Sequence, residues 1–237
     1  MKLTIVIPAY NEEIALPVTL KGLEANVKTP HNIIIVDDHS IDNTRTAALD
    51  FIKTHPNVTL VDNDTAQGIT NAIKKGFSKI TEGAIAVVMA DTCDDPLTID
   101  SMYEKIKQGF DVVCASRYMK GGKRTGRPLQ GFFSYCVGFA LYYLIGIPTH
   151  DCSNAFKMYR KHVLDSIDIE EAGFASGLEI TVKAYFGGFK ITEVPSAWKK
   201  REAGESKFKI TSVAGNYFYW FFWSMLKALR GKRECKK

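Results

Sequence analysis

The chain has 237 residues, 46% of them hydrophobic and 24% charged, which is enough for one domain with an appendage and a sizeable buried core. That composition excludes a disordered chain, a fibrous repeat and a disulfide-stapled miniprotein. The net charge of +5 is uneven, with +8 on residues 199–237 and five Lys or Arg with no acid across 117–127, a distribution that suits nucleic acid, anionic lipid or phosphate ligands.

The first apolar, β-branched run covers residues 3–8. It runs straight into Asn11, Glu12 and Glu13, too soon for a secretory signal, and reads as a strand. Further runs follow at 33–36, 58–61, 85–89 and 112–115, with helical patterns near 13–26, 43–55, 66–80 and 97–108. Strands alternating with helices of that length predict βαβ units and a parallel sheet with right-handed crossovers. Such sheets bind ligands beyond the carboxyl ends of their strands.

The residues after each run are therefore the informative ones. Pro8, Ala9, Tyr10, Asn11 and Glu12 follow the first, and Asp37, Asp38 and His39 the second. Asp62 and Asp64 follow the third, ahead of Gln67 and Gly68; Asp91, Cys93, Asp94 and Asp95 follow the fourth; Ser116, Arg117 and Tyr118 follow the fifth. Helix capping accounts for single acids or hydroxyls such as Asp42 or Thr65. Four strand ends carrying acids to one rim instead point to a divalent cation with a nucleotide diphosphate. The sequence holds no G-x-G-x-x-G after the first strand and no G-x-x-x-x-G-K-[ST], which disfavours dinucleotide binding and P-loop hydrolysis. Cys93, Cys114, Cys136, Cys152 and Cys235 form no C-x-x-C pair and read as thiols of a reducing compartment. His31, His39 and His150 fit no ligand spacing and read as structural or incidental.

Seven segments carry a resemblance. They are I-V-I-P-A-Y-N-E-E (5–13), I-V-D-D-H-S-I-D (35–42), M-A-D-T-C-D-D-P (89–96), A-S-R-Y (115–118), H-D-C-S-N-A-F-K (150–157), E-V-P (193–195) and R-E-A-G-E-S-K (201–207). In this order the chain resembles family 2 glycosyltransferases of the GT-A fold, in particular the dolichyl-phosphate mannose synthase group. The resemblance implies an α/β, Rossmann-like GT-A domain. It implies that Pro8, Ala9, Tyr10, Asn11, Glu12, Asp37, Asp38, Gln67, Gly68 and Ala90 hold the donor nucleotide, GDP-mannose or UDP-glucose. Asp91, Arg117, Arg201 and Lys207 would be catalytic, and Ser153, Lys157 and Ser206 would meet an acceptor phosphate. The family's D-x-D motif here begins with Met89, and Cys93 stands where a glutamine is usual. Mg²⁺ or Mn²⁺ would thus rely on Asp91 and Asp94, since hard cations prefer oxygen to a thiol.

The implied reaction is inverting transfer of a hexose, mannose or glucose, to polyprenyl or dolichyl phosphate. A sugar hydroxyl acceptor would need a general base, whereas a lipid phosphate is already anionic. The chain's many cations and its lack of a Q-x-x-R-W motif favour the phosphate. Transfer to a hydroxyl of a glycan or glycolipid is the nearest alternative. A catalytically degenerate, nucleotide-sugar-binding membrane scaffold is another.

Residues 128–149 carry no charge and are long enough to span a bilayer. A crossing there would separate Asp91 and Arg117 from Lys157, Arg201 and Lys207. Gln130, Ser134, Gly138 and Tyr142 stack at i, i+4 on one small or polar face, so the segment is expected to lie in the membrane interface. Residues 213–226 repeat the signal with a dense aromatic cluster, and 227–237 are basic, a pairing that suits anionic lipid better than nucleic acid. The expectation is a GT-A domain over 1–209 with an interfacial insertion at 128–149, then amphipathic membrane-association helices within 210–237. It would sit peripherally on the cytoplasmic face of the membrane.

Overall fold

Strand β1 (Leu3–Ala9) is buried along its whole length. Its side chains alternate between two layers, Leu3, Ile5 and Ile7 in one and Val6 in the other, as the two-residue period of a strand requires. A strand that is apolar on both faces belongs at the centre of a covered sheet. In the computed structural model, which describes residues 1–126, 128–201 and 210–234, β1 lies between β2 (His31–Asp37) and β4 (Ala84–Val87), parallel to both. β3 (Val58–Asp62) extends the sheet beyond β2.

Beyond β4 the order is no longer sequential. The seven-stranded order is β3-β2-β1-β4-β7-β5-β8, with β5 at Val112–Ser116, β7 at Lys157–Arg160 and β8 at Ile191–Pro195. β7 enters antiparallel to both β4 and β5, and β8 pairs parallel to β5. The wholly parallel sheet expected from the alternation is corrected here. The four residues of β7 begin with a lysine and end with an arginine, so no apolar run marks them. A two-stranded parallel ribbon, β6 (Lys123–Arg124) with β9 (Ala197–Trp198), stands beside the sheet.

Helices α1 (Ala15–Asn26), α2 (Thr44–Ile52) and α4 (Thr98–Lys107) cover one face, and α3 (Ile69–Ser78), α6 (Lys161–Asp165) and α7 (Ser176–Phe186) the other. At Gly76 of α3 a Cβ would stand 2.4 Å from Val6 Cγ1, so the absent side chain lets this helix settle directly on β1.

A third apolar cluster lies outside the sheet. Helix α5 (Pro128–Ala140) continues as a π-helical turn over Leu141–Ile145. Leu141, Leu178, Val182 and Trp220 bind it to α7 and to the long helix α8 (Ile210–Glu234). Glu171 clamps α8 by accepting the Asn216 side-chain N–H at 2.7 Å and the Trp220 indole N–H at 3.3 Å. The small and polar face of α5 turns inward: Ser134 reaches Arg117, and Tyr142 in the following turn stacks on His150 with centroids 4.0 Å apart. Phe132, Phe139, Tyr143, Phe218, Phe222 and Leu226 are exposed. Among the described residues, no helix is long and apolar enough to cross a membrane.

Candidate active site

The carboxyl ends of β1, β2 and β4 open into a cavity of about 1010 Å³. Pro8, Ala9, Tyr10 and Glu12 line it from the loop after β1, with Asp38 after β2 and Gln67 and Gly68 ahead of α3. Asp38 is buried, and its carboxylate accepts the Gly68 N–H at 3.0 Å and the Asn63 side-chain N–H at 2.6 Å. It thereby ties the start of α3 to the rim.

Asn11 and Asp37 shape this pocket without lining it. Asn11 sits at φ 52°, a left-handed conformation that asparagine tolerates. Its N–H donates to Ser40 Oγ at 3.1 Å and its Oδ1 accepts the Ile41 N–H at 2.9 Å. Asp37 accepts the Ser40 N–H at 3.1 Å and lies 3.7 Å from Arg45. Ala90, expected at the donor, instead packs in the core beneath the sheet; its neighbours Met89 and Asp91 line the cavity. Thr65 does not cap α3. Its hydroxyl donates to Asn63 Oδ1 at 2.7 Å.

β4 ends at Val87, which leaves Met89 to Asp94 as a loop that turns at Thr92, φ 63°. Asp91 Oδ1 accepts the Cys93 N–H at 3.1 Å. The Cys93 thiol is buried, and burial followed by the neighbouring Asp91 raises its pKa well above the usual thiol value. A hard cation such as Mg²⁺ or Mn²⁺ prefers the carboxylate oxygens of Asp91 to a thiol. Asp94 turns one oxygen toward the Met89 N–H at 3.3 Å. Burial and the charge of Asp91 push its carboxyl up to about 7. Among the described residues no three acids, histidines or cysteines converge as a metal cage. One cavity-lining carboxylate fits a hard cation that completes its shell with substrate phosphates, as Mg²⁺ commonly does.

Arg117 follows β5 and lines the opposite wall. Its Nε and Nη2 donate to the two oxygens of Asp151 at 2.6 and 2.8 Å, while Nη2 also meets Ser134 Oγ at 3.0 Å and Ser153 Oγ at 3.3 Å. Burial alone would lower the guanidinium pKa, but the paired Asp151 more than offsets it and the net shift is upward. Arg201 donates to both oxygens of Glu12 across the donor loop. Arg124 lies over Trp198 at 4.9 Å, also at the cavity.

Lys157, expected at the acceptor phosphate, is completely buried on β7. Its ammonium donates to the carbonyls of Cys152, at 2.9 Å, and Asn154. That expectation is corrected: the charge props up the 152–154 loop and presents nothing to a ligand. Ser153 from the same loop does line the cavity. His150 is structural, as expected, with its N–H and Nδ1 held by Glu193 at 2.7 and 2.6 Å. Ser206 and Lys207 lie outside the described residues.

Sequence reasoning gave no role to Asp151, Ser134 or Glu193. Asp151 and Glu193 stood within quoted motifs, yet only the antiparallel entry of β7 brings residue 151 against residue 117. The remaining wall is apolar, with Phe132, Phe133 and Val137 from α5, Phe174, and Phe218 and Phe221 from α8.

Residues 4–168 match the family model described as Glycosyl transferase family 2. A dolichol-phosphate mannosyltransferase of Pyrococcus furiosus is 30% identical over 216 residues, covering 88% of this chain and 60% of that protein's length. A polyprenol monophosphomannose synthase of Mycolicibacterium smegmatis is 26% identical, covering 88% and 82%. An undecaprenyl-phosphate mannosyltransferase of Micrococcus luteus is 29% identical, covering 87% of each. In fold, the chain is similar to glucosyl-3-phosphoglycerate synthase from Mycobacterium tuberculosis solved with Mn²⁺ and uridine-diphosphate-glucose. The TM-score is 0.70 at 14% identity, over 96% of this chain and 78% of that one.

Proposed function

This chain belongs to glycosyl transferase family 2 and is a glycosyltransferase, and from that premise we propose that it moves a hexose from a nucleotide-diphosphate sugar to a polyprenyl phosphate at a membrane surface. One observation carries the choice of acceptor. The carboxylates lining the cavity among the described residues are Glu12, Asp38 and Asp91, all from the donor-side loops. Glu12 is engaged by Arg201, and Asp38 by Gly68 and Asn63. Among the described residues the acceptor half offers Arg117, Arg124, serine hydroxyls and an apolar wall, and no carboxylate to act as a general base. A hydroxyl acceptor would need such a base, and a lipid phosphate needs only positioning and charge compensation.

The nucleotide would lie against the Pro8–Glu12 loop, Asp38, Gln67 and Gly68. Asp91, with Asp94 beside it, would hold Mg²⁺ or Mn²⁺, which when bound neutralises charge on the leaving diphosphate. An acceptor phosphate oxygen attacks the anomeric carbon. The new carbon–oxygen bond forms as the bond to the nucleotide diphosphate breaks, with inversion and with no proton to remove. Arg117, Arg201 and Lys207 share the phosphate charges of donor and acceptor.

The exposed aromatic sides of α5 and α8, with Lys227 and Arg230 on α8, suit the headgroup boundary of an anionic membrane. They support a peripheral enzyme on the cytoplasmic face whose lipid substrate enters along the apolar wall. Incubation with labelled GDP- and UDP-sugars, polyprenyl phosphate and Mg²⁺ or Mn²⁺ tests the reading. The expected product is a chloroform-extractable glycolipid cleaved by mild acid. An acid-stable product would mark a hydroxyl acceptor, and no labelled lipid from any donor would overturn the proposed acceptor.

A further inference from the structure

We propose that Asp151 is a positioning residue that fixes the guanidinium of Arg117 so that only its Nη1 edge meets the anionic groups in the cavity. The proposal rests on the phosphate-acceptor reading above. Asp151 is fully buried and does not itself line the cavity; it meets the cavity only through Arg117 and Ser153, which do. It grips Arg117 three times, through Nε at 2.6 Å, Nη2 at 2.8 Å and the backbone N–H at 3.0 Å. The second Nη2 hydrogen is directed to the Ser134 and Ser153 hydroxyls. Among the described residues this leaves the two Nη1 hydrogens without a protein acceptor, on a side chain that is 11% exposed.

Asp151 is itself fixed from behind. Its N–H donates to Thr149 Oγ1 at 3.1 Å, and the Thr149 hydroxyl donates to Glu193 at 3.1 Å. The carboxylate is thus set by β8 and the loop before β7, the guanidinium by β5, and Ser134 by α5. A bidentate carboxylate–guanidinium pair restricts both distance and plane. Fixing a charged group before substrate arrives avoids reorganising it in the transition state.

The test is a mutant cycle on transfer to polyprenyl phosphate, comparing Asp151→Asn, Arg117→Gln and the double variant. Asp151→Asn should lower kcat by about tenfold or more, with the KM for the nucleotide sugar within about twofold of wild type. The double variant should be no slower than Arg117→Gln alone, because Asp151 acts through Arg117. Should Asp151→Asn fail to fold, Asp151→Glu carries the same test. It keeps the counter-charge but displaces the guanidinium by one methylene, and its kcat should fall as well. Losses that multiply in the double variant, or wild-type kcat in Asp151→Asn or Asp151→Glu, would overturn the positioning role alone. A wild-type enzyme that forms no glycolipid from polyprenyl phosphate would overturn the acceptor reading and this role together.

Discussion

Glu12 and Arg201, 189 residues apart, meet across the mouth of the cavity, with the Arg201 guanidinium donating to both carboxylate oxygens. The first loop of the sheet is thereby joined to the start of the segment that carries Ser206 and Lys207. Burial would lower the Arg201 pKa, and the Glu12 hydrogen bonds reverse that shift. The Glu12 N–H is held in turn by Thr44 Oγ1 at 2.7 Å. Glu12→Gln keeps the shape and removes the charge. It should raise the KM for the nucleotide sugar by roughly tenfold, the scale of one charge-assisted hydrogen bond, as steady-state kinetics at saturating acceptor would show.

Gly138 brings α5 against the loop before β7, where a Cβ would stand 2.0 Å from the His150 carbonyl oxygen. Backbone cannot yield as a flexible side chain does. Gly138→Ala should therefore push α5 outward, destabilise the fold by about 1–3 kcal/mol and draw Ser134 away from Arg117. Denaturant unfolding and kcat should fall together.

Lys157 is a structural cation. Lys157→Met keeps an unbranched side chain one atom shorter and removes the hydrogen bonds to the Cys152 and Asn154 carbonyls, so stability should drop by about 1–3 kcal/mol. The KM for polyprenyl phosphate should stay within about twofold of wild type. A large rise in that KM with unchanged stability would return Lys157 to the acceptor.

Asp42 accepts the Thr44 hydroxyl at 2.5 Å, the Thr44 N–H at 2.9 Å and the Glu13 N–H at 3.2 Å. Burial raises its pKa, but these hydrogen bonds lower it further, to a net value below the usual 3.8. A carboxyl with a depressed folded pKa contributes stability that is full above the ordinary value and disappears as the pH falls through the folded one. The stability difference between wild type and Asp42→Asn should thus be constant near neutral pH and shrink below about pH 4. Urea titrations across that range would measure it.

The four crossovers from β1 to β5 were legible because each strand is a continuous apolar run and each helix has the matching length. The acidic rim was legible for the same reason, since strand ends mark where loops converge. β7 was not, because Lys157 and Arg160 break the apolar pattern and the stabilising partners of Lys157 are backbone carbonyls, which leave no trace in side-chain composition. Asp151 illustrates the same limit. Its residue type was visible, but its partner is set by a strand order that departs from chain order. The inward face of α5 could be read from Ser134, Gly138 and Tyr142, whereas the Glu171 clamp on α8 could not, since it joins a loop to a helix about 45 residues later.

The most direct measurement compares wild type with Asp91→Asn, using labelled nucleotide sugar, polyprenyl phosphate and Mn²⁺. Asp91 is the cavity-lining acid at the end of β4, and its loss removes the oxygen ligand offered to a cation on the diphosphate. Wild type should form an acid-labile, chloroform-extractable glycolipid and lose that activity in excess chelator. Asp91→Asn should fold normally and form none. Wild-type rates in Asp91→Asn, or a wild-type enzyme that labels no polyprenyl phosphate from any donor, would contradict the account.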